Sequence, residues 1–582
     1  MRTIIKSIVC AVFIWSSVLS CWSQNDKEIK NAVIPGFNPD PSICKAGDTY
    51  YVTTSSFQFW PGLPIYESKD LKNWKLIDYV LKDTRQADLF RICNSGGIWA
   101  PDLTWNEQEK LFYIVYTIAG GEGMFHETHN YVATSESIHG PWSDPVYLNS
   151  RGNDPAMFHD EDGRHWYVCS DFEFEPGFAT HHGMLLQEYD PKQKKLVGPS
   201  RNIFKGTNLG FMEGSKMFKR GDWFYIVAAE GGTNYGHAMT MARSKDIWGP
   251  YEVHPDNPIL TARGVHSMIK RAGHGDIQDI SKDEAVVFYL AGRPVEKNEE
   301  LFSTLGRETF IANAKWHKDG WLYLNNKAPQ NEEPMLLKEK ETAPIIGSDE
   351  FDGKLSINWN SLRVPIKPEL IDLNSKPGSL ILKGTPSYIH SMDYPSILVQ
   401  RVKHHQFKIS TQLLFEPEAI QQEAGLVVYY DSRRWYFFNK TMDKKLGQCL
   451  SISSLYDKTQ LIPLNAKGSV ELEIECDGYD FHFYYVDENQ NRKKVGSRNA
   501  LWLSDEGLKE IGPSEYNFTG TMMGIAVWDH TNYAPSAEFE YFHYEGKESW
   551  PAFVKNKDFF GPTKPSENLK NIELYYEGHR EK

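Results

Sequence analysis

Cysteine is scarce in this 582-residue chain, and the few present form no pattern. Of seven, Cys10 and Cys21 fall within the first 24 residues, leaving Cys44, Cys93, Cys169, Cys449 and Cys476. An odd number without a CxxC pair supports neither a disulfide framework nor a zinc finger, so these thiols are expected to be small buried residues. Positive charge is also short: 63 Lys and Arg face 77 Asp and Glu, a formal net charge of −14. Phosphate binding needs clustered cations, which removes nucleic acid as a partner and favours a neutral or polar ligand. No metal-site context surrounds His126 with His129 or His181 with His182, which read as loop or surface histidines.

The apolar run from Ile8 to Leu19, preceded by Arg2 and Lys6, is too short to cross a bilayer and reads as an export signal over residues 1–24. Cleavage after Gln24 gives a periplasmic or extracellular protein. The alternative, a lipoprotein-like VLSC ending at Cys21, makes that cysteine a lipid anchor and the sole membrane attachment.

Aromatic residues, by contrast, are plentiful, with 17 Trp, 30 Tyr and 31 Phe, and they fall into a repeat. A polar turn, a short apolar run, a second turn and an aromatic strand recur five times: NPDPSICKAGDTYYVTTSS, APDLTWNEQEKLFYIVYT, NDPAMFHDEDGRHWYVCSD, MEGSKMFKRGDWFYIVAAE and GHGDIQDISKDEAVVFYLAG. Each resembles a β-hairpin. Their leading polar residues, Asp40, Asp102, Asp154, Glu213 and His274, are about 50 to 60 residues apart, which suits one four-stranded blade per repeat. The fold class expected is all-β: a five-bladed β-propeller over residues 28–340. A polar, Pro-containing connection follows, then an antiparallel β-sandwich of the concanavalin-like jelly-roll type over 345–547, with 548–582 unassigned. Innermost strands of a propeller line one channel, so Asp40, Asp154 and Glu213 should meet at its mouth.

The segments GFNPDPSI, TSSF, GGIWAPDL, NDPAMF, MEGSKMF, AGHGDI and LGRETF occur in that order, and with them the chain resembles glycoside hydrolase family 43 from roughly Asn31 to Gly546. The resemblance is to β-xylosidases and α-L-arabinofuranosidases. It implies Asp40 as general base, Glu213 as general acid, and Asp154 as the carboxylate that tunes and orients the acid. It further implies Phe57 and Trp99 as aromatic walls, Arg307 as a pocket cation, and His274 as a channel histidine near a water-held calcium. Phe518 in NFTGTMMG is a candidate for a sandwich residue closing the pocket. The chemistry itself requires no cofactor.

Inverting hydrolysis needs an acid at the leaving oxygen and a base at the attacking water, about 6.5–9.5 Å apart. A free Glu titrates near ~4.3, so Glu213 needs help to stay protonated, and the like charge of Asp154 is the expected source. Asp40 has to stay ionised, with Arg307 or turn backbone as support. Asp–Pro turns also begin strands for purely structural reasons, and Asp102 is read as such a case. The expected activity is exo-acting release of a terminal xylose or arabinose from xylan-, arabinoxylan- or arabinan-derived oligosaccharides. The alternatives are a mainly α-L-arabinofuranosidase or endo-arabinanase activity and, outside enzymes, a catalytically silent glycan-binding propeller. SSFQFWPG and EGSKMF depart from the commoner family forms beside the pocket and leave the xyloside or arabinoside preference open.

Overall fold

A computed structural model describes residues 27–120, 127–172, 181–340, 347–457, 460–464, 467–508, 517–547 and 549–560. The signal-like residues 1–24, Cys21 and His126 lie outside them. Among the described residues there is no α-helix, only three short 3-10 turns, and no helix long and apolar enough to cross a membrane.

Each repeat opens its own antiparallel sheet. The first contains Ser42–Ala46, Thr49–Thr53, Gly62–Ser68 and Lys75–Leu81; the second Gly97–Asn106, Leu111–Ala119, Thr128–Ser135 and Val146–Asn149. The third contains Ala156–His159, His165–Phe172, His181–Asp190 and Lys195–Phe204. The fourth is built on Glu213–Arg220, Trp223–Glu230 and Ala238–Ser244, and the fifth on Lys270–Asp279, Glu284–Gly292, Glu308–Trp316 and Leu322–Leu324. Second strands such as His165–Phe172 are buried along their whole length, so they read as unbroken apolar runs rather than alternating ones.

Burial on both faces follows from how the sheets pack. Ile114 and Leu103 meet Ile65 between the first and second sheets; Val115 meets Tyr167 between the second and third; Trp166 meets Ile226 between the third and fourth; Val227 meets Tyr289 between the fourth and fifth. The fifth core returns to the start, with Val286 and Phe288 packed against Val52 and Trp74 of the first sheet. The N-terminal segment fastens this closure: Glu28–Lys30 pairs with Glu332–Pro334, and Ile34 bridges Thr309 of the fifth sheet.

At equivalent positions near the start of each sheet's first strand the backbone is left-handed: Asp40 (φ 56), Ala100 (φ 34), Asp154 (φ 52), Gly214 (φ 58) and His274 (φ 40), with Gly97 (φ 96) and Arg271 (φ 63) left-handed besides. Four of the five carry a Cβ, for which this conformation costs about 1–3 kcal/mol, and such strain persists only where the surroundings over-determine it. Bulges accompany it, with register shifts between Trp99 and Asp102, Glu213 and Lys216, and Gly273 and Gly275. A bulge re-aims the side chains beside it. The five-fold equivalence therefore differs in phase from the sequence reading: the counterpart of Asp40 is Ala100 rather than Asp102 in the second sheet, and Gly214 rather than Glu213 in the fourth.

Two residues further along these strands the polar groups pair among themselves. Lys216 Nζ reaches Asp102 Oδ1 at 2.5 Å, and Ser42 Oγ lies 3.1 Å from both Asp102 Oδ1 and Asp276 Oδ2. Asp102 also accepts the Met157 amide at 2.9 Å. Burial raises the Asp276 carboxyl to about 6, against the pull of Lys216. Asp102 is thus an ion-pair partner in the packed interior and not a pocket residue.

The C-terminal half forms an eight-stranded and a six-stranded sheet, with a core that includes Phe407, Leu426, Phe438, Leu472, Phe483 and Ile525 between them. A separate apolar layer joins this sandwich to the first two sheets: Phe37, Phe57, Phe59 and Trp99 pack with Leu362, Val427, Tyr429 and Trp435. Residues left unassigned on sequence return to the N-terminal half, where Phe560 is buried and its carbonyl accepts the Ser267 amide at 3.2 Å. All five described cysteines are free, and all but Cys93 are buried.

Candidate active site

The left-handed corners converge on a pocket of about 390 Å³, counted out to its mouth. Asp40, Asp154, Glu213, His274, Arg307, Phe57, Trp99 and Phe518 all line it, together with Ala100, Asn153 and Thr233.

Asp40 is held on both oxygens. The Ser55 hydroxyl donates to Oδ2 at 2.5 Å while accepting the Ala100 amide at 2.6 Å, which ties the first corner to the second. Oδ1 lies 3.4 Å from Arg307 Nη1 and 3.4 Å from His274 Nδ1. The Arg307 guanidinium is 4% exposed and forked: Nη1 donates to Thr233 Oγ1 at 2.9 Å, and Nη2 to the carbonyl of Phe518 at 3.0 Å. One cation therefore touches both a corner carboxylate and the main chain of the sandwich.

Asp154 accepts the Gly214 amide at 2.8 Å and so grips the bulge that carries Glu213. Only glycine suits position 214, because φ is +58 and a Cβ there would stand 2.9 Å from the His274 ring. Placed one residue before the corner, Glu213 is half-buried, whereas Asp40 and Asp154 are buried. Its Oε2 lies 3.4 Å from Nε2 of His181, whose ring stands edge-on to Phe172 and Phe211 at 4.9 and 5.3 Å between centroids.

The aromatic wall combines both halves of the chain. Phe57, Trp99 and Phe518 lie 5.7–6.1 Å apart, centroid to centroid, and the guanidinium of Arg307 stands over Phe57 and Phe518. Ser95 sets their spacing, accepting the Trp99 indole N–H at 2.9 Å on its carbonyl and the Phe518 amide at 3.0 Å on its hydroxyl. Close approach of the sandwich is allowed by Gly306 (φ +70), where a Cβ would fall 2.3 Å from the Thr519 carbonyl.

The electrostatics depart from the sequence expectation. Burial drives the Asp154 carboxyl well above its ordinary range, with the carboxylates of Glu213 and Asp40 adding to it. Burial also pushes Glu213 up, but the His181 contact, and then the positive forms of His181, His237 and His274, outweigh it and bring Glu213 to about 2. The upward shift thus falls on Asp154, which is flanked by two carboxylates, and not on Glu213, which faces imidazoles. Burial lowers His274 and takes His237 to about 4, so both rings are neutral near pH 7 and their pull on Glu213 lapses. His181 is the imidazole left in contact.

Calcium takes six to eight oxygen ligands. His274 offers a nitrogen that already faces Asp40 and Asp154, and among the described residues no group of three or more His, Cys, Asp or Glu side chains is arranged to hold a metal ion. These side chains do not themselves form a calcium cage.

Sequence reading missed four pocket features. His181, read with His182 as a loop or surface histidine, instead begins the third strand of its sheet with its side chain 4% exposed and facing Glu213; it lies outside the repeated hairpin, so the repeat did not mark it. Ala100 was hidden by the neighbouring Asp102, and Asn153 by Asp154. Thr233 sits in a glycine-rich turn, GGTN, whose part in holding Arg307 becomes visible only in the fold.

Three carboxylates around one pocket, walled by aromatics and supported by an arginine fork, define an acid/base glycoside hydrolase. Comparison with known proteins names the group. The profile of Glycosyl hydrolases family 43 matches residues 29–322, and that of the Beta xylosidase C-terminal Concanavalin A-like domain matches 348–545. Xylosidase/arabinosidase 43B of Humicola insolens is 37% identical over 541 residues, covering 89% of this chain and 97% of that protein. Beta-xylosidase of Bacillus subtilis (strain 168) is 36% identical over 546 residues, covering 89% and 100%. The crystal structure of xylan beta-1,4-xylosidase from Bacillus halodurans C-125 superposes with a TM-score of 0.84 at 36% identity, over 89% of this chain and 100% of that one. The chain belongs to glycoside hydrolase family 43 and is an inverting glycoside hydrolase.

Proposed function

We propose that this enzyme is exo-acting and releases a single terminal pentose, xylose or arabinose, from xylan-, arabinoxylan- or arabinan-derived oligosaccharides. The observation that carries this reading is the wall that Phe518 adds: a sandwich residue narrows one side of the pocket, where an enzyme cutting within a long chain needs a groove open at both ends. The names of the Humicola and Bacillus relatives support a pentose.

In this reading Asp40, backed by Ser55 and Arg307, accepts a proton from water as the water attacks the anomeric carbon. Glu213 delivers a proton to the departing oxygen on the opposite face, and the anomeric configuration inverts. Asp154 orients the acid through the Gly214 amide and competes with it for a proton. Phe57, Trp99 and Phe518 pack against the sugar, while Arg307 and His274 fix its hydroxyls.

The same reading takes the five N-terminal sheets as blades of a propeller over residues 28–340, supported by the cyclic order of their cores, and the second unit as a sandwich over 345–547. A calcium beside His274 would be a structural ion held through water, tested by a fall in melting temperature on chelation. Export, with Cys21 lipidated or removed, rests on the pattern Arg2–Lys6–apolar run and is tested by fractionation of the Cys21→Ser chain.

The deciding measurement compares 4-nitrophenyl β-D-xyloside with the α-L-arabinofuranoside in wild type and Asp40→Asn, with NMR of the first-formed anomer. Release of one pentose at a time with inversion, abolished by Asp40→Asn, is expected. Internal cleavage, or Asp40→Asn turnover equal to wild type, would overturn the reading.

A further inference from the structure

Resting on the assignment of Glu213 as the acid, we propose that His181 is its positioning partner, and that the proton given to the leaving oxygen is held by the Glu213–His181 pair rather than by Glu213 alone.

Three observations lead there. First, Nε2 of His181 faces Oε2 of Glu213 at 3.4 Å, a contact between the imidazole and one of the two carboxyl oxygens. Second, the ring cannot swing away without loss, because Phe172 and Phe211 clamp it edge-on and its side chain is 4% exposed. Third, the other groups near Glu213 do not do this work: Asp154 spends its near oxygen on the Gly214 amide, His274 points Nδ1 at Asp40 and Asp154, and Nδ1 of His237 lies 3.0 Å from the Arg271 carbonyl. Among the described residues, Asp171 of the strand next to His181 is paired with Arg151 at 2.6 Å.

Proton bookkeeping closes. Before the reaction the pair holds one proton, either as neutral Glu213 with neutral His181 or as carboxylate with imidazolium. In the bond-breaking step the glycosidic oxygen takes a proton from the Glu213 carboxyl as its bond to the anomeric carbon breaks; from the imidazolium form, Nε2 of His181 first returns its proton to Oε2, and the carboxyl then turns to present it. Water forms the new bond to that carbon and its proton goes to Asp40. The pair is left as carboxylate and neutral imidazole, and it regains a proton from solvent while Asp40 loses one. In the form that starts with neutral Glu213, an imidazole with its hydrogen on Nε2 faces Oε2 at 3.4 Å and stabilises the carboxylate as it forms, which favours the transition state over the ground state.

The test uses the intact enzyme and the glycone preferred in the comparison above, once with a 2,4-dinitrophenyl leaving group and once as the disaccharide. A good leaving group needs no acid. His181→Phe and His181→Gln are expected to lower kcat/KM on the disaccharide by about 10²-fold or more, within the span of general acid catalysis. On the dinitrophenyl glycoside they should lower it less than about fivefold, and in His181→Phe the alkaline limb of the pH profile should move to lower pH. Glu213→Gln run alongside separates the two claims. If Glu213→Gln shows the leaving-group split and neither His181 variant does, while both keep the wild-type circular dichroism and melting temperature, the inference on His181 fails alone. If Glu213→Gln shows no split, the acid assignment fails with it. Equal loss on both substrates in a folded His181→Gln protein also overturns the positioning role.

Discussion

The two halves of this enzyme use the same β-strands in opposite ways. In the sandwich, apolar side chains from two sheets face one another, and buried charges such as Arg434 and Asp431 pair with each other away from the pocket. Around the pocket, five first strands and their leading corners bring inward strained backbone, the carboxylates of Asp40, Asp102, Asp154, Glu213 and Asp276 and the amine of Lys216, and Arg307 joins them from just before Glu308–Trp316 of the fifth sheet. The first arrangement is stable in itself. The second persists because each polar group is answered by another: Ser55 by Asp40, Gly214 by Asp154, Lys216 by Asp102. Chemistry sits where the packing is least comfortable, and the sandwich supplies the last wall from outside.

This contrast can be broken at its centre first. Asp40→Asn and Glu213→Gln should each reduce kcat on the natural disaccharide by about 10²–10⁴-fold, the usual worth of a general acid or base, with melting temperature unchanged or raised. Next comes Lys216→Met, which leaves Asp102 and Asp276 buried without their cation. A loss of about 3–5 kcal/mol in urea unfolding is expected, and a much smaller value would mean that water reaches these groups. Gly214→Ala should cost about 1–3 kcal/mol through its left-handed backbone and also lower activity, because the added carbon displaces His274. Phe518→Ala tests the borrowed wall: loss of its aromatic contacts, worth about 0.5–1.5 kcal/mol, should raise KM by up to about tenfold, with little change in stability.

The smallest effect belongs to the sandwich. Burial raises Glu423 to about 7 despite the Tyr388 hydroxyl, 2.8 Å away. The folded state then binds this proton more tightly than the unfolded chain, whose Glu titrates near ~4.3. Stability is therefore full below about pH 4 and declines as pH rises towards 7. Glu423→Gln should match wild type in urea midpoint at pH 4 and exceed it at pH 8. No difference at pH 8 would show that Glu423 is solvated.

Much of the site could be read from residue order because each corner announces itself with a turn and an aromatic strand. Asp40, Asp154, Glu213 and His274 all sit in such repeats, and Phe57, Trp99 and Arg307 sit in motifs beside them. Phase was harder. A sequence repeat shows where a strand begins only to within a residue or two, and the bulge at Gly214 turns that uncertainty into a different side-chain direction for Glu213. His181 was illegible for another reason: a histidine on an outer strand has no local partner, and only the folding of one sheet against the next brings Glu213 to it. The protonation pattern followed suit, since Asp154 was expected to act on Glu213 without the imidazoles that the fold adds.

The arginine fork carries a consequence for heredity. With one hand on Asp40 and the other on the Phe518 carbonyl, Arg307 makes the boundary between the two halves part of the active site itself. A descendant gene that dropped or exchanged its second half would lose a wall and loosen the hold on Asp40 in one event. Such a pair of modules is inherited together, and its specificity can drift on either side of the seam while the seam stays put.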